Sequence, residues 1–174
     1  EDLRVKIVTE IVNAVENLSL SKTGALIAIE QSTGLGEIVG SGTHIDAVVS
    51  AALLENIFVV NTPLHDGATV IRNDRIFASG CVLPLTSSRD INKKLGTRHR
   101  AAIGLSETSD ALVIVVSEET GTISLAINGR LSRSYDRDRL KDVLLKIMKN
   151  RSSKRVKTLG EKVKVWLTET KSRT

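Results

Sequence analysis

At 174 residues with 41% apolar side chains, the chain is long enough for one domain with a full core and too short for two comfortable ones. One cysteine, Cys81, excludes an intrachain disulfide framework, and no apolar run approaches the roughly 20 residues that span a bilayer, so the chain as given is expected to be soluble. The net charge of +5 is uneven, with +8 on residues 146–174 and −3 on residues 1–145, and aromatics at 2% leave little for stacking on single-stranded nucleic acid.

Val8, Ile11, Val12, Val15 and Leu18 recur at helical spacing, which predicts an amphipathic helix over residues 3–18. Residues 24–30 form a short apolar run bounded by Gly and polar residues, a buried strand. The loop holding Gly34, Gly36, Gly40 and Gly42 has the wrong spacing for a dinucleotide fingerprint and reads as a turn. Asp46 is placed to cap a helix from Ala47 to about Glu55, and Ile57–Val60 reads as a second buried strand. After Pro63, residues 68–72 and 75–83 form a hairpin across Asn73-Asp74. Residues 101–107 are expected to be helical, and 111–116 form a strand buried on both faces because it does not alternate. Residues 122–127 alternate as a half-exposed strand, Asn128-Gly129 turns, and Asp136 or Ser134 caps a helix through Leu140, Val143, Leu144, Ile147 and Met148. Beyond Asn150 the basic residues 151–174 read as a solvated tail, with Val163, Val165 and Leu167 alternating as a strand or docking segment. The expected fold is a single α/β domain with a mixed central sheet flanked by helices, comprising residues 1–150.

Two stretches carry chemistry. Thr97-Arg98-His99-Arg100 sets two permanent cations beside an imidazole, and the planar guanidinium forks suit a polyphosphate. Arg98 and Arg100, two apart, share a side only in an extended segment, so a joint grip on one ligand requires Arg98 to precede the helix that Ala101 continues. Leu64-His65-Asp66-Gly67-Ala68 adds a carboxylate and an imidazole able to hold a divalent metal, with a Gly that admits close backbone approach. Glu118-Glu119 is a further source of metal oxygens. No Ser-His-Asp or Cys-His pattern supplies a nucleophile, so an enzyme built on these stretches would position substrates and neutralise charge, the logic of nucleotidyl transfer.

Leu64–Ala68 and Gly96–Ala102, together with Gly24-Ala25-Leu26-Ile27, Asn61-Thr62-Pro63 and residues 114–120, resemble the paired Asp-Gly-Ala and Arg-His-Arg motifs of the diadenylate cyclase family over roughly residues 5–130. The N-terminal helix entering directly at Gly24 resembles the membrane-associated CdaA type. The chain begins at Glu1, as expected of a fragment of something longer. The resemblance implies condensation of two ATP molecules to cyclic di-AMP and two pyrophosphates with Mn²⁺, Co²⁺ or Mg²⁺. By position, Asp66 would serve the metal and the attacking 3′-hydroxyl, with His65 and Glu119 as further metal ligands. Gly67, Ala68, Leu83, Thr97 and Ser117 would line the nucleotide, and Arg98, His99 and Arg100 would hold phosphates. An aromatic that family members often place near adenine is replaced at the aligned position by Val82, leaving Leu83 to cover the base. A two-fold symmetric product implies an isologous homodimer as the active form. The resemblance also implies a location at the cytoplasmic face of the membrane, a membrane-anchored regulator and a phosphosugar mutase as partners, and no nucleic acid. The alternative is a non-catalytic sensor that holds the nucleotide without turning it over.

Overall fold

Strand parity decides the layers. The computed structural model describes residues 2–147, and there the strands form one mixed seven-stranded sheet. These are β1 (Ala25–Ile29), β2 (Thr43–Val48), β3 (Ala68–Arg72), β4 (Arg75–Cys81), β5 (Leu112–Val116), β6 (Ile123–Ile127) and β7 (Arg130–Ser132), in the order β2-β4-β3-β1-β5-β6-β7. Only β1 and β3 run parallel. β1 and β5 lie inside the sheet with both faces covered, and all five residues of each are buried, as their unbroken apolar runs predict.

Successive side chains point to opposite faces. Ala25, Ile27, Ile29, Ile114 and Val116 enter one core with the apolar stripe of α1 (Leu3–Leu20), α3 (Ala51–Ile57) and Leu140 and Leu144 of residues 137–147 (α5). Leu26, Ala28, Val113 and Val115 enter a second core with Ala101, Ala102 and Leu105 of α4 (Thr97–Thr108) and the short α2 (Gly36–Gly40). Small residues dominate this second core. They let α4 come so close that a Cβ on Gly104 would lie 2.8 Å from the Pro84 carbonyl carbon and the Thr86 nitrogen. Asp136 caps α5 by accepting the Arg139 N–H at 2.8 Å.

Several sequence expectations are corrected. Asp46 caps nothing: it sits inside edge strand β2 at φ 54° and pairs with Arg75 at 2.5 Å, while Ser50 caps α3 by accepting the Leu53 N–H. Residues 57–60 are not a strand. Ile57 and Phe58 close α3 against the core and leave Val59 and Val60 exposed, because a four-residue apolar run fits a helix end as well as a strand. Part of the Gly-rich loop is helical. β6 is buried along Ile123–Ala126, Ser124 included, since β7 and α4 cover what alternation suggested was open. Met148, the segment 163–167 and the tail 151–174 lie outside the described residues.

Candidate functional site

Antiparallel pairing gathers the strand ends. The N-ends of β1, β3 and β6 and the C-ends of β4, β5 and β7 all fall on one edge of the sheet. A cleft of about 500 Å³ opens there, in the size range of small-molecule sites. Its walls include Leu26, Asp66, Thr97, Arg98, His99, Ser117, Glu118, Glu119 and Arg133, so stretches separated by thirty residues and more meet in one place.

Asp66 is exposed just before β3. Gly67 makes that presentation possible: at φ 98° it lies in the left-handed region, and a Cβ there would stand 2.6 Å from the Cys81 carbonyl oxygen. Register shifts in the β3–β4 ladder follow immediately, the local irregularity often found beside active sites. His65 turns aside from the cleft lining. Its Nδ1 lies 2.6 Å from the Thr62 carbonyl oxygen, so Nδ1 carries the proton and donates, and the Nε2 lone pair stays available.

The helix α4 opens at Gly96 with no side-chain cap, and its first turn faces the cleft with Thr97, Arg98 and His99. Free N–H groups and the positive helix end favour an anion there. Arg98 is thus inside the helix, not before it as a shared grip with Arg100 requires. The helical step turns Arg100 away, and Arg100 does not line the cleft. The Arg98 guanidinium crosses the bare face of Gly24 and meets Glu118 at 3.2 Å. His99 is buried, and its Nε2 has no hydrogen-bond partner. Burial first, then the Arg133 and Arg98 charges, push its pKa below the ordinary 6.5, with Glu119 opposing, so the ring is neutral at pH 7.

The third wall is the turn after β5. Ser117 Oγ accepts the N–H groups of Glu119 and Thr120, and Ser19 Oγ of α1 donates to the Gly121 carbonyl at 2.5 Å. The far end of α1 thereby fixes the turn that carries Glu118 and Glu119.

Of the other sequence candidates, Ala68 is buried at the start of β3, and Leu83 is buried in the α4-side core rather than lining the cleft. Val82 is the exposed side chain at that strand end, so Leu83 offers no open face to a base. Among the described residues no three of His, Cys, Asp and Glu cluster as a metal cage: Asp66 and Glu119 share the cleft and His65 does not. Asn92, Lys94, Leu95 and Arg133 line the cleft without having been singled out from sequence.

The family model described as DAC, DisA bacterial checkpoint controller nucleotide-binding, matches residues 12–131. Cyclic di-AMP synthase CdaA of Bacillus subtilis (strain 168) is 47% identical over 144 residues, 83% of this chain and 53% of that protein. Diadenylate cyclase CdaS of Bacillus thuringiensis (strain BMB171) is 51% identical over 121 residues, 70% of this chain and 60% of that protein. The chain therefore spans little more than half the length of these relatives. A double cysteine mutant of DacA from Staphylococcus aureus superposes with a TM-score of 0.80 at 42% identity, covering 82% of this chain and 95% of that one. A Bacillus cereus structure described as a hypothetical membrane spanning protein gives 0.72 at 48% identity, covering 74% and 63%. No helix among the described residues is long and apolar enough to cross a membrane.

Proposed function

We propose that this chain, which belongs to the DAC domain family, is the catalytic part of a diadenylate cyclase that joins two ATP molecules into cyclic di-AMP and releases two pyrophosphates. The observation that carries the reading is the single cleft in which Asp66 faces the open first turn of α4 and the Ser117–Thr120 turn. In each half-reaction a 3′-hydroxyl oxygen bonds to the other nucleotide's α-phosphorus, the bond to the bridging oxygen breaks, and the proton leaves the hydroxyl. Asp66 is the carboxylate placed to take that proton. The N–H groups of α4's first turn and the Arg98 guanidinium hold phosphate oxygens, and neutral His99 offers a hydrogen bond without adding charge.

Asp66 and Glu119 suit Mn²⁺, Co²⁺ or Mg²⁺, which are commonly held by one or two carboxylates together with substrate phosphates. His65, with its proton fixed on Nδ1, has the tautomer of a ligand through Nε2. Such an ion would neutralise charge developing on the phosphates. One cleft holds one ATP, and the two-fold symmetry of the product calls for a second copy facing it, so the active form is an isologous homodimer. Holding the two nucleotides in line is worth on the order of 7 kcal/mol of barrier. In the whole protein the same family reading extends to the cytoplasmic face of the membrane, with a membrane-anchored regulator and a phosphosugar mutase as partners.

Incubation with ATP and Mn²⁺ should yield two pyrophosphates for each cyclic di-AMP formed. Absence of product at every protein concentration sinks the proposal, and nucleotide binding without pyrophosphate release by a dimeric chain identifies a sensor instead. Asp66→Asn should abolish turnover with an unchanged melting temperature; retention of turnover would refute the role given to Asp66.

A further inference from the structure

Arg133 is a cleft arginine whose charge has no ion-pair partner among the described residues. It is exposed, it lines the cleft, and no described residue gives it a hydrogen bond or ion pair, whereas Arg98 in the same cleft is paired with Glu118. Its backbone is nevertheless fixed on both sides. Ser132 pairs with Leu125 in the β6–β7 ladder, and the Tyr135 N–H donates to the Ile123 carbonyl at 3.1 Å. Between these anchors the chain bulges through Ser134 at φ 63°, a left-handed conformation that a serine holds only when its surroundings impose it.

Position along the sheet says which part of a ligand this cation meets. Asp66 precedes β3 and Arg133 follows β7, with β1, β5 and β6 between them. Four strand spacings put their backbones about 19 Å apart, at opposite ends of one cleft. The α4 first turn and His99 lie between. Arg133 lines the cleft together with Thr97, Arg98 and His99 of the α4 wall. The cleft carries three acidic side chains, Asp66, Glu118 and Glu119, against three basic ones, Lys94, Arg98 and Arg133. Without Arg133 the balance turns negative, the wrong sign for a polyphosphate.

We propose that Arg133 is a phosphate-binding residue of this cleft that holds the terminal β- and γ-phosphates of the nucleotide, the part released as pyrophosphate, at the end opposite Asp66. The assignment rests on the nucleotide reading above but makes a demand of its own. A group that meets only the terminal phosphates discriminates pyrophosphate and ATP from AMP.

The test uses the whole 174-residue chain and calorimetric titration with inorganic pyrophosphate, ATP and AMP against the wild type, Arg133→Ala and Arg133→Lys. Arg133→Ala should lose tenfold or more in affinity for pyrophosphate and ATP, keep its affinity for AMP within twofold, and melt as the wild type does. Arg133→Lys should recover part of the loss. In turnover, KM for ATP should rise in Arg133→Ala more than kcat falls. Unchanged pyrophosphate affinity overturns the assignment, as does an equal loss for all three ligands, which marks a diffuse field rather than a contact. If pyrophosphate binding depends on Arg133 and the wild type makes no cyclic di-AMP, the cyclase reading fails and the Arg133 assignment stands.

Discussion

Gly24→Ala tests whether the placement of Arg98 matters to function separately from the fold. Gly24 precedes β1, and a Cβ built on it would lie 2.6 Å from Arg98 Cζ and closer still to Nη1, so a methyl and the guanidinium cannot both be there. What must move is the far end of a flexible side chain. The stability consequence is therefore small. The Arg98–Glu118 pair, with side chains 25% and 66% exposed, is worth about 0.5 kcal/mol. Removing a glycine restricts the unfolded chain and returns a similar amount. The melting curve should shift by less than the equivalent of about 1 kcal/mol. The functional consequence is large, because the guanidinium leaves its seat between Gly24 and Glu118, and a displacement of about 1 Å in a positioning group costs roughly 100-fold in rate, or ~2.7 kcal/mol of barrier. Calorimetric melting and cyclic di-AMP formation on the same preparation separate the two. Wild-type turnover in a well-folded Gly24→Ala variant would refute the role given to Arg98, and loss of turnover together with loss of folding would refute the claim that only the side chain moves.

Gly104→Ala is the contrasting case. Its new methyl meets Pro84 and Thr86 backbone, so α4 must shift from the sheet, and denaturant titration should show a loss of about 2 kcal/mol or more. Because folding lowers the His99 pKa, the unfolded chain binds more protons just below 6.5. The stability this neutral histidine contributes is complete above pH 6.5 and is lost as pH falls toward the lowered native value. Urea midpoints measured between pH 7.5 and 5.5 should fall with acid, and less steeply in His99→Gln; parallel slopes would contradict the burial argument. Burial alone would raise the Asp110 carboxyl, but the N–H groups of Thr33 and Ser32, at 2.9 and 3.0 Å, outweigh it and hold it below the ordinary carboxylate range. Asp110→Asn should therefore increase protease cutting of the loop between β1 and α2 at neutral pH, with a smaller difference from wild type below the ordinary 3.8.

The parts of this protein most legible in sequence are those with one physical cause. Residues 112–116 are apolar without alternation because both faces of β5 are covered, and the run announces that directly. The two halves of the cleft were visible as residue types, His65-Asp66-Gly67 and Arg98-His99, though their meeting depends on strand pairing that no local pattern encodes. The start of α4 is not legible because its cap is Gly96, which has no side chain to signal it, while Thr97, a residue type that often caps, lies inside the helix. Arg133 carries no local signal, because the three residues of β7 before it are too few to show periodicity. A signal was nevertheless present. Asn128-Gly129, both at positive φ, form the kind of turn that joins antiparallel neighbours, and a strand following it brings Arg133 back to the cleft end of the sheet.

The same antiparallel pairing that gathers the cleft sends both tight turns, Asn73-Asp74 and Asn128-Gly129, to the opposite edge of the sheet. Five-residue strands hold the two edges about 17 Å apart. The cleft and the two hairpin turns therefore occupy opposite ends of the strands, and a fluorophore or short inserted peptide at residues 73–74 or 128–129 would sit away from the cleft. Strand length here works as a spacer, giving a handle by which nucleotide binding and assembly can be watched in the intact protein.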